Sequence, residues 1–456
     1  MNLHNTINLS INENKSVKEA LLKIEKNKSG LIFTLNEKKQ VTGLATDGDI
    51  RRGLVKGVKL SNPISTCANT SFKSVNSDTP RENILKLLDN KIHFIPVINA
   101  SGALETIYTR DFLPIDLEKS IYVRGRAPVR ISFGGGGSDL THFFTNNDGA
   151  VINSAISIYS HATMKKRSDS KINIISTDLQ KTFKATDLDN ALTKKSDFGL
   201  FQAIIKTVRP NFGFDLYVNS DFPIGSGLGG SAAVAAAVLG CFNMFRNDRW
   251  DRHELSELAF QAERIYLSIS GGWQDQYASV FGGFNFIEFK KDQNIVSPIR
   301  INSNDLLELE ESLILCDTGI GHQSGNIHDD QKKKMESFDI RDLVKKNVEL
   351  TFEIRNHLFR GRLDEIGNCL DRAWKLKRNF GNMISNKNID NIYKGALENG
   401  ATGGKLLGAG GGGYFIFHTS TFKKQKLVQY LKSKNLQIHP FNFDNDGLKA
   451  WSVREK

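Results

Sequence analysis

Residues Pro223 to Ala233 read PIGSGLGGSAA and lie between two patterned segments. The preceding run, DLYVNSDF, alternates apolar and polar residues as a strand does, and AAVAAAVLGCFNMF, at its end, reads as a helix with a buried face. Four glycines and two serines fall within the nine residues from Gly225 to Ala233. Such a backbone turns sharply and offers N–H groups to an anion at the helix start. A phosphate fits there; the plainer alternative is a glycine-rich turn that only closes a strand-to-helix unit. Two further glycine-rich stretches, RAPVRISFGGGGSDL and KLLGAGGGGYFIF, weigh against the plain turn.

With 456 residues the chain is expected to hold more than one domain. Its 39% hydrophobic and 24% charged residues place it among soluble globular proteins. The net charge of +11 is scattered over short lysine-rich patches, with no basic arm and no aromatic ladder. Phosphorylated substrates account for that excess, and no nucleic-acid partner is expected. Cys67, Cys241, Cys316 and Cys369 are far apart, with no CxxC pair and no signal peptide before them. They read as reduced thiols of a cytoplasmic protein. Every long apolar run is broken by charge or glycine, so no membrane span is expected.

The first 115 residues carry an internal duplication. SVKEALLKIEK places Val17, Ala20, Leu21 and Ile24 on one helix face; GLIFTL, the turn NEKKQ and VTGLATDGDIRRGL follow as strand, turn and strand-into-helix. TPRENILKLLDNK, HFIPVIN, ASG and ETIYTRDFL repeat the order, with Asp49 and Asp111 at equivalent ends. The α/β pair resembles a tandem of cystathionine-beta-synthase (CBS) motifs. By that resemblance Thr46 and Asp49 bind the ribose and phosphate of a regulatory adenine nucleotide, and a hydroxyl and a carboxylate at a strand-to-helix turn suit ribose hydroxyls. The second copy has Tyr108 at the hydroxyl position with Thr109 adjacent, so one nucleotide site is expected. Two alternatives stay open: Asp49 caps a helix beginning at Ile50, or the pair only packs against itself or another subunit. CBS pairs often dimerise, which implies a homodimer. PIDLEKS, around residues 114–120, reads as a linker.

Beyond it, IYVRGRAPVRISFGGGGSDL begins as a strand and ends in four glycines, Ser138 and Asp139. Asp139 is placed to accept hydrogen bonds from sugar hydroxyls, or to cap the helix that follows. Taken with PIGSGLGGSAA and LLGAGGGGYFIF, the stretch from Ile121 to about the C-terminus resembles the GHMP kinases, the superfamily of galactokinase, homoserine kinase, mevalonate kinase and phosphomevalonate kinase. The resemblance implies an α+β architecture: a ribosomal protein S5-like domain over residues 121–300, a ferredoxin-like domain over 301–456, and an active site in the cleft between them.

It also implies roles, residue by residue, with ATP as donor and Mg2+ as cofactor. Pro223, Gly225, Ser226, Gly227, Leu228, Gly229, Gly230 and Ser231 bind ATP, while Gly136, Gly137, Ser138, Asp139, Gly410 and Gly411 bind the substrate. Arg130 of RAPVR sits beside the reacting hydroxyl, where a guanidinium stabilises charge developing on the attacking oxygen and the phosphoryl group. Ser231 and Glu263 hold Mg2+, which favours such sparse oxygen donors completed by water and phosphate. Asp275 of GGWQDQYASVFGG is the catalytic base. No GxxxxGK[ST] stretch occurs, so loop amides and the helix start replace a Walker-type lysine.

RAPVRISFGGGGSDL, GGWQDQYASVFGGFNFIEF, DTGIGHQSGNIHDDQ and GGKLLGAGGGGYFIF most closely resemble the D-glycero-D-manno-heptose 7-phosphate kinases, which implies ATP-dependent formation of heptose 1,7-bisphosphate for nucleotide-activated heptose and surface polysaccharide. A 7-phosphate needs a second anion site; Lys375, Lys377 and Arg378 of RAWKLKRNF, or His322 and Gln323, are the candidates. The alternatives are another GHMP sugar 1-kinase acting on fucose or galactose, or a non-catalytic adenylate sensor. The glycines of the first motif stand where galactokinase has Glu-His, against galactose itself. A sensor would have lost Arg130, Ser231, Glu263 or Asp275, and all four are present.

Overall fold

The computed structural model describes residues 6–89, 92–109, 120–320 and 337–454, with 327, 330 and 334. It divides into two units, Met1–Leu117 and Glu118–Lys456.

In the first unit both copies of the repeat place a helix before an antiparallel strand pair. The first has the helix Val17–Asn27 and the strands Leu31–Leu35 and Val41–Thr46; the second has Arg81–Asp89, Phe94–Ile98 and Leu104–Thr109. Val17, Ala20 and Ile24 are buried, as the helical spacing requires, and pack with Ile32, Ala45 and Ile50. The helix after the first pair starts at Asp47 rather than Ile50, so Thr46 is its cap and Asp49 lies in its first turn. The two form a capping box: Asp49 N–H donates to Thr46 Oγ at 3.2 Å, and Thr46 N–H donates to Asp49 Oδ2 at 3.0 Å. Arg52 takes the other carboxylate oxygen. The atoms assigned to a nucleotide by resemblance thus have partners within their own helix start. Asp111 and linker residues 114–119 lie outside the described residues.

The second unit is built on a long antiparallel pair, Ser120–Gly134 with Gly149–Lys166. The 18-residue second strand serves two neighbours on its far edge. Its first residues pair with Phe284–Phe289, which carries Asn294–Pro298, and its last residues pair with Phe214–Ser220. Ile172–Ser176, parallel to Phe214–Ser220, and Lys181–Ala185 complete that side. The strand Lys449–Arg454 returns to pair with Ser120–Gly134. The resemblance assigns the whole of 301–456 to the C-terminal domain, whereas this last strand joins the sheet of the N-terminal one.

Against this sheet lies the helix Gly230–Met244, buried on all sides from Ala235 to Phe242. Its alanines allow close approach: a Cβ on Gly125 of the sheet would stand 2.1 Å from the Ala237 carbonyl oxygen. The helix start is therefore held by the core. A second antiparallel sheet runs in the order Ala401–Leu406, Tyr414–Thr419, Leu313–Asp317, Gln437–His439. It is accompanied by the helices Asp364–Lys377, Lys387–Glu398 and Thr421–Ser433. The four cysteines are free. No helix among the described residues is long and apolar enough to cross a membrane.

Candidate active site

The glycine-rich loop leaves the strand Phe214–Ser220 and enters the buried helix at Gly230. Gly225, Gly227 and Gly229 have φ of 78°, 75° and 77°, so alternate residues take left-handed backbone, the arrangement that gathers N–H groups into an anion-binding hollow. The loop edges a cleft of about 560 Å3 to which every residue assigned to ATP contributes except Leu228. Leu228 is a correction: fully buried, it packs in the core, and its N–H donates to Ser226 Oγ at 3.3 Å. The lining also includes Leu179, Leu200, Phe201 and Phe222, apolar surface that suits a flat base.

Arg130 and Asp275 stand against the loop in the same cleft. Arg130 is fixed twice. Its backbone N–H donates to the Leu228 carbonyl at 3.0 Å, and its guanidinium donates from Nη1 to the Gly227 carbonyl at 2.6 Å and from Nε to Asp275 Oδ1 at 2.8 Å. Asp275 opens the helix Gln274–Phe281 between two buried glutamines. Gln274 Nε2 donates to Asp139 Oδ2 at 3.0 Å, and Gln276 Nε2 donates to Glu263 Oε2 at 2.6 Å. Consecutive helical residues point about 100° apart. One helical turn thereby holds three carboxylates in place.

Asp139 is buried and also accepts from the Gly137 N–H at 3.0 Å. Burial pushes its carboxyl up and the Asp275 charge pushes the same way, while Gly137 and Gln274 hold it down. Gly136 and Gly137 line the cleft beside it. Ser138 does not: its hydroxyl donates to the Gly135 carbonyl and accepts from the Ala150 N–H, holding strand to loop. In the third glycine stretch, Gly408 and Ala409 line the cleft. Gly408, at φ 66°, would set a Cβ 2.6 Å from Gly227, so this loop abuts the phosphate loop. Gly410 and Gly411 instead meet Ile384, whose carbonyl accepts from Gly411 N–H.

Ser231 faces the cleft and is exposed. Glu263 is fully buried in a π-helical turn, Gln261–Tyr266, outside the cleft lining. Its Oε1 has no hydrogen-bond partner, and the Arg264 guanidinium is 4.0 Å away. A hard cation suits such an oxygen, so the donor chemistry fits Mg2+.

Of the proposed second-anion residues, Lys375 pairs with Asp371 and Arg378 with Asp390. His322 and Gln323 lie outside the described residues. Lys377 reaches the cleft, buried, with Nζ donating to the Leu406 and Gly408 carbonyls. Burial lowers its ammonium to about 7, with Arg130 acting the same way and Asp139 and Asp275 opposing. Arg264 and Lys405 also line the cleft, and sequence reasoning missed both. For Lys405 the signal was a lysine inside the apolar strand segment GGKLL.

Residues 198–283 match the GHMP kinases N-terminal domain family and residues 354–435 the GHMP kinases C-terminal family. The chain is 33% identical over 340 residues, 73% of its own length and 99% of the relative's, to the D-glycero-alpha-D-manno-heptose 7-phosphate kinase of Campylobacter jejuni. It is 27% identical to the galactokinase of Pyrococcus furiosus, across 64% of this chain and 87% of that one. Among solved structures, a D-glycero-D-manno-heptose 1-phosphate kinase from Bacteroides thetaiotaomicron superposes with a TM-score of 0.61 at 27% identity, covering 73% of this chain and 100% of that one.

Proposed function

The chain belongs to the GHMP kinase family and is an ATP-dependent sugar kinase, and from that premise we propose that its substrate is D-glycero-D-manno-heptose 7-phosphate, phosphorylated on the anomeric hydroxyl to give the 1,7-bisphosphate and ADP. The observation that carries this reading is the 33% identity across nearly the whole of a heptose 7-phosphate kinase. The Arg130–Asp275 pair facing the phosphate loop supports the chemistry.

In this mechanism the loop amides from Gly225 to Gly230 and the start of the buried helix bind the β- and γ-phosphates, and the apolar part of the lining takes the adenine. Asp139, oriented by Gln274 and the Gly137 amide, positions the sugar through its hydroxyls. Asp275 accepts the proton of the anomeric hydroxyl, which is more acidic than an ordinary alcohol. The oxygen attacks the γ-phosphorus, its bond to the β-bridging oxygen breaks, and ADP leaves. Arg130 stabilises charge on the attacking oxygen and transferring group. Ser231 and Glu263 would hold Mg2+, which when bound neutralises phosphate charge. The N-terminal unit completes the reading as a CBS pair that takes an adenine nucleotide and joins two chains into a homodimer.

The test is ADP release from Mg-ATP with heptose 7-phosphate, free heptose, fucose and galactose. Turnover confined to the phosphorylated heptose supports the proposal. Turnover on fucose or galactose at equal rate replaces it with another sugar 1-kinase.

A further inference from the structure

Two buried lysines reach the cleft from the second sheet and its neighbouring helix, and only one of them is hydrogen-bonded. Lys377 donates to two carbonyls. Lys405, on the strand Ala401–Leu406, is 2% exposed and lines the same cleft. Among the described residues no hydrogen bond or ion pair reaches its Nζ. The neighbouring charges do not compensate it. Arg130 is committed to Asp275, and Asp139 is held by Gln274 and the Gly137 amide. Every carboxylate of the cleft lining already has a partner, Asp275 in Arg130, Asp139 in Gln274 and the Gly137 amide, Asp178 in Ser220 and Asp197 in Lys181, so none of them pairs with Lys405. A buried ammonium left in this state carries a desolvation penalty that an anionic ligand removes.

We propose that Lys405, with Lys377 beside it, binds the phosphate carried by the sugar substrate itself, and so sets the preference for a sugar phosphate over a neutral sugar. The proposal rests on the sugar-phosphate reading above and adds the residue that enforces it. Burial, together with Lys377 and Arg130, lowers the Lys405 ammonium well below its ordinary value, and an anion beside it favours the charged form. A hydroxyl-only sugar offers it no counter-charge.

The experiment compares wild type with Lys405→Met and Lys405→Arg in the full chain. ADP release is measured with heptose 7-phosphate and with free heptose, varying sugar and ATP separately. A charge-assisted contact to phosphate implies that the ratio of kcat/KM for phosphorylated over free heptose falls about 10- to 100-fold in Lys405→Met and largely survives in Lys405→Arg. An unchanged ratio overturns the proposal; if KM for ATP rises at the same time, Lys405 serves the γ-phosphate instead. Inorganic phosphate, titrated against protein saturated with a non-hydrolysable ATP analogue, separates this proposal from the substrate assignment. Should wild type show no preference for heptose 7-phosphate, the substrate reading fails, while phosphate binding lost in Lys405→Met still upholds the anion site. Equal phosphate binding by wild type and a folded Lys405→Met overturns it.

Discussion

Arg130 Nε and Nη2 both lie 2.8 Å from Asp275 Oδ1, so one oxygen of the proposed base is engaged by a buried guanidinium. The other, Oδ2, faces Gly229 of the phosphate loop, where an added Cβ would come within 3.2 Å of it. The base is held by one oxygen and aimed with the other. Asp275→Asn keeps a hydrogen-bond acceptor for Arg130 but removes the proton acceptor. Expected is a fall in kcat of about 10²- to 10⁴-fold with ATP binding retained. ADP-release assays beside nucleotide titrations check it; near-normal turnover would exclude Asp275 as the base.

Gln276 touches neither cleft nor ligand, yet it is the hydrogen-bond donor that orients the buried Glu263 carboxylate. A partner of a metal ligand tunes affinity for the metal. Gln276→Leu should therefore raise the Mg2+ concentration for half-maximal activity about 10- to 100-fold, with activity returning at high Mg2+. It should also lower stability by about 1–3 kcal/mol, because a buried acceptor loses its donor. Stability loss with an unaltered Mg2+ response would mean that Glu263 is structural.

The glycine-rich loop was legible because glycine takes left-handed backbone without the steric cost other residues carry, and three of the loop's glycines do so within five residues. Asp139, Arg130 and Asp275 came from resemblance to the GHMP kinase motifs, and the structure brings all three to one cleft. Other residues became clear only in three dimensions. Ser138 looks like a ligand-binding hydroxyl, but its partners are carbonyls of Gly135 and Ala150, the latter contributed by the next strand. Lys405 stands out as a lysine inside an apolar strand segment, but strand alternation does not say which face meets a cleft, and the return of Lys449–Arg454 to Ser120–Gly134 joins segments too distant in sequence for any local pattern to pair.

The capping box of Thr46 and Asp49 offers a test within the first unit. Thr46→Ala removes the N-cap and should cost that unit about 1 kcal/mol, read as a lower urea midpoint. A nucleotide held by the same hydroxyl would add a second effect: AMP would raise the midpoint of wild type and lose that effect in the variant. Stabilisation by AMP that survives in Thr46→Ala would place the nucleotide elsewhere.

Lys377 makes stability depend on pH with a definite sign. Its folded value is about 7, against an ordinary 10.5, so between those limits the unfolded chain binds more protons than the folded one. Unfolding free energy must then rise with pH across this window, and the penalty for burying the ammonium is present in full below pH 7. The contribution of one such group approaches about 1.4 kcal/mol per pH unit at its steepest. Lys377→Met deletes the titrating group, so the difference in stability between wild type and variant should shift with pH by that slope between pH 7.5 and about 9.5. Lys377 is itself one of the charges that depress Lys405, so the comparison is made with Lys405→Met in both proteins, which removes the second titration. Urea unfolding at three pH values measures it, and parallel curves would show that Lys377 stays charged in the folded protein.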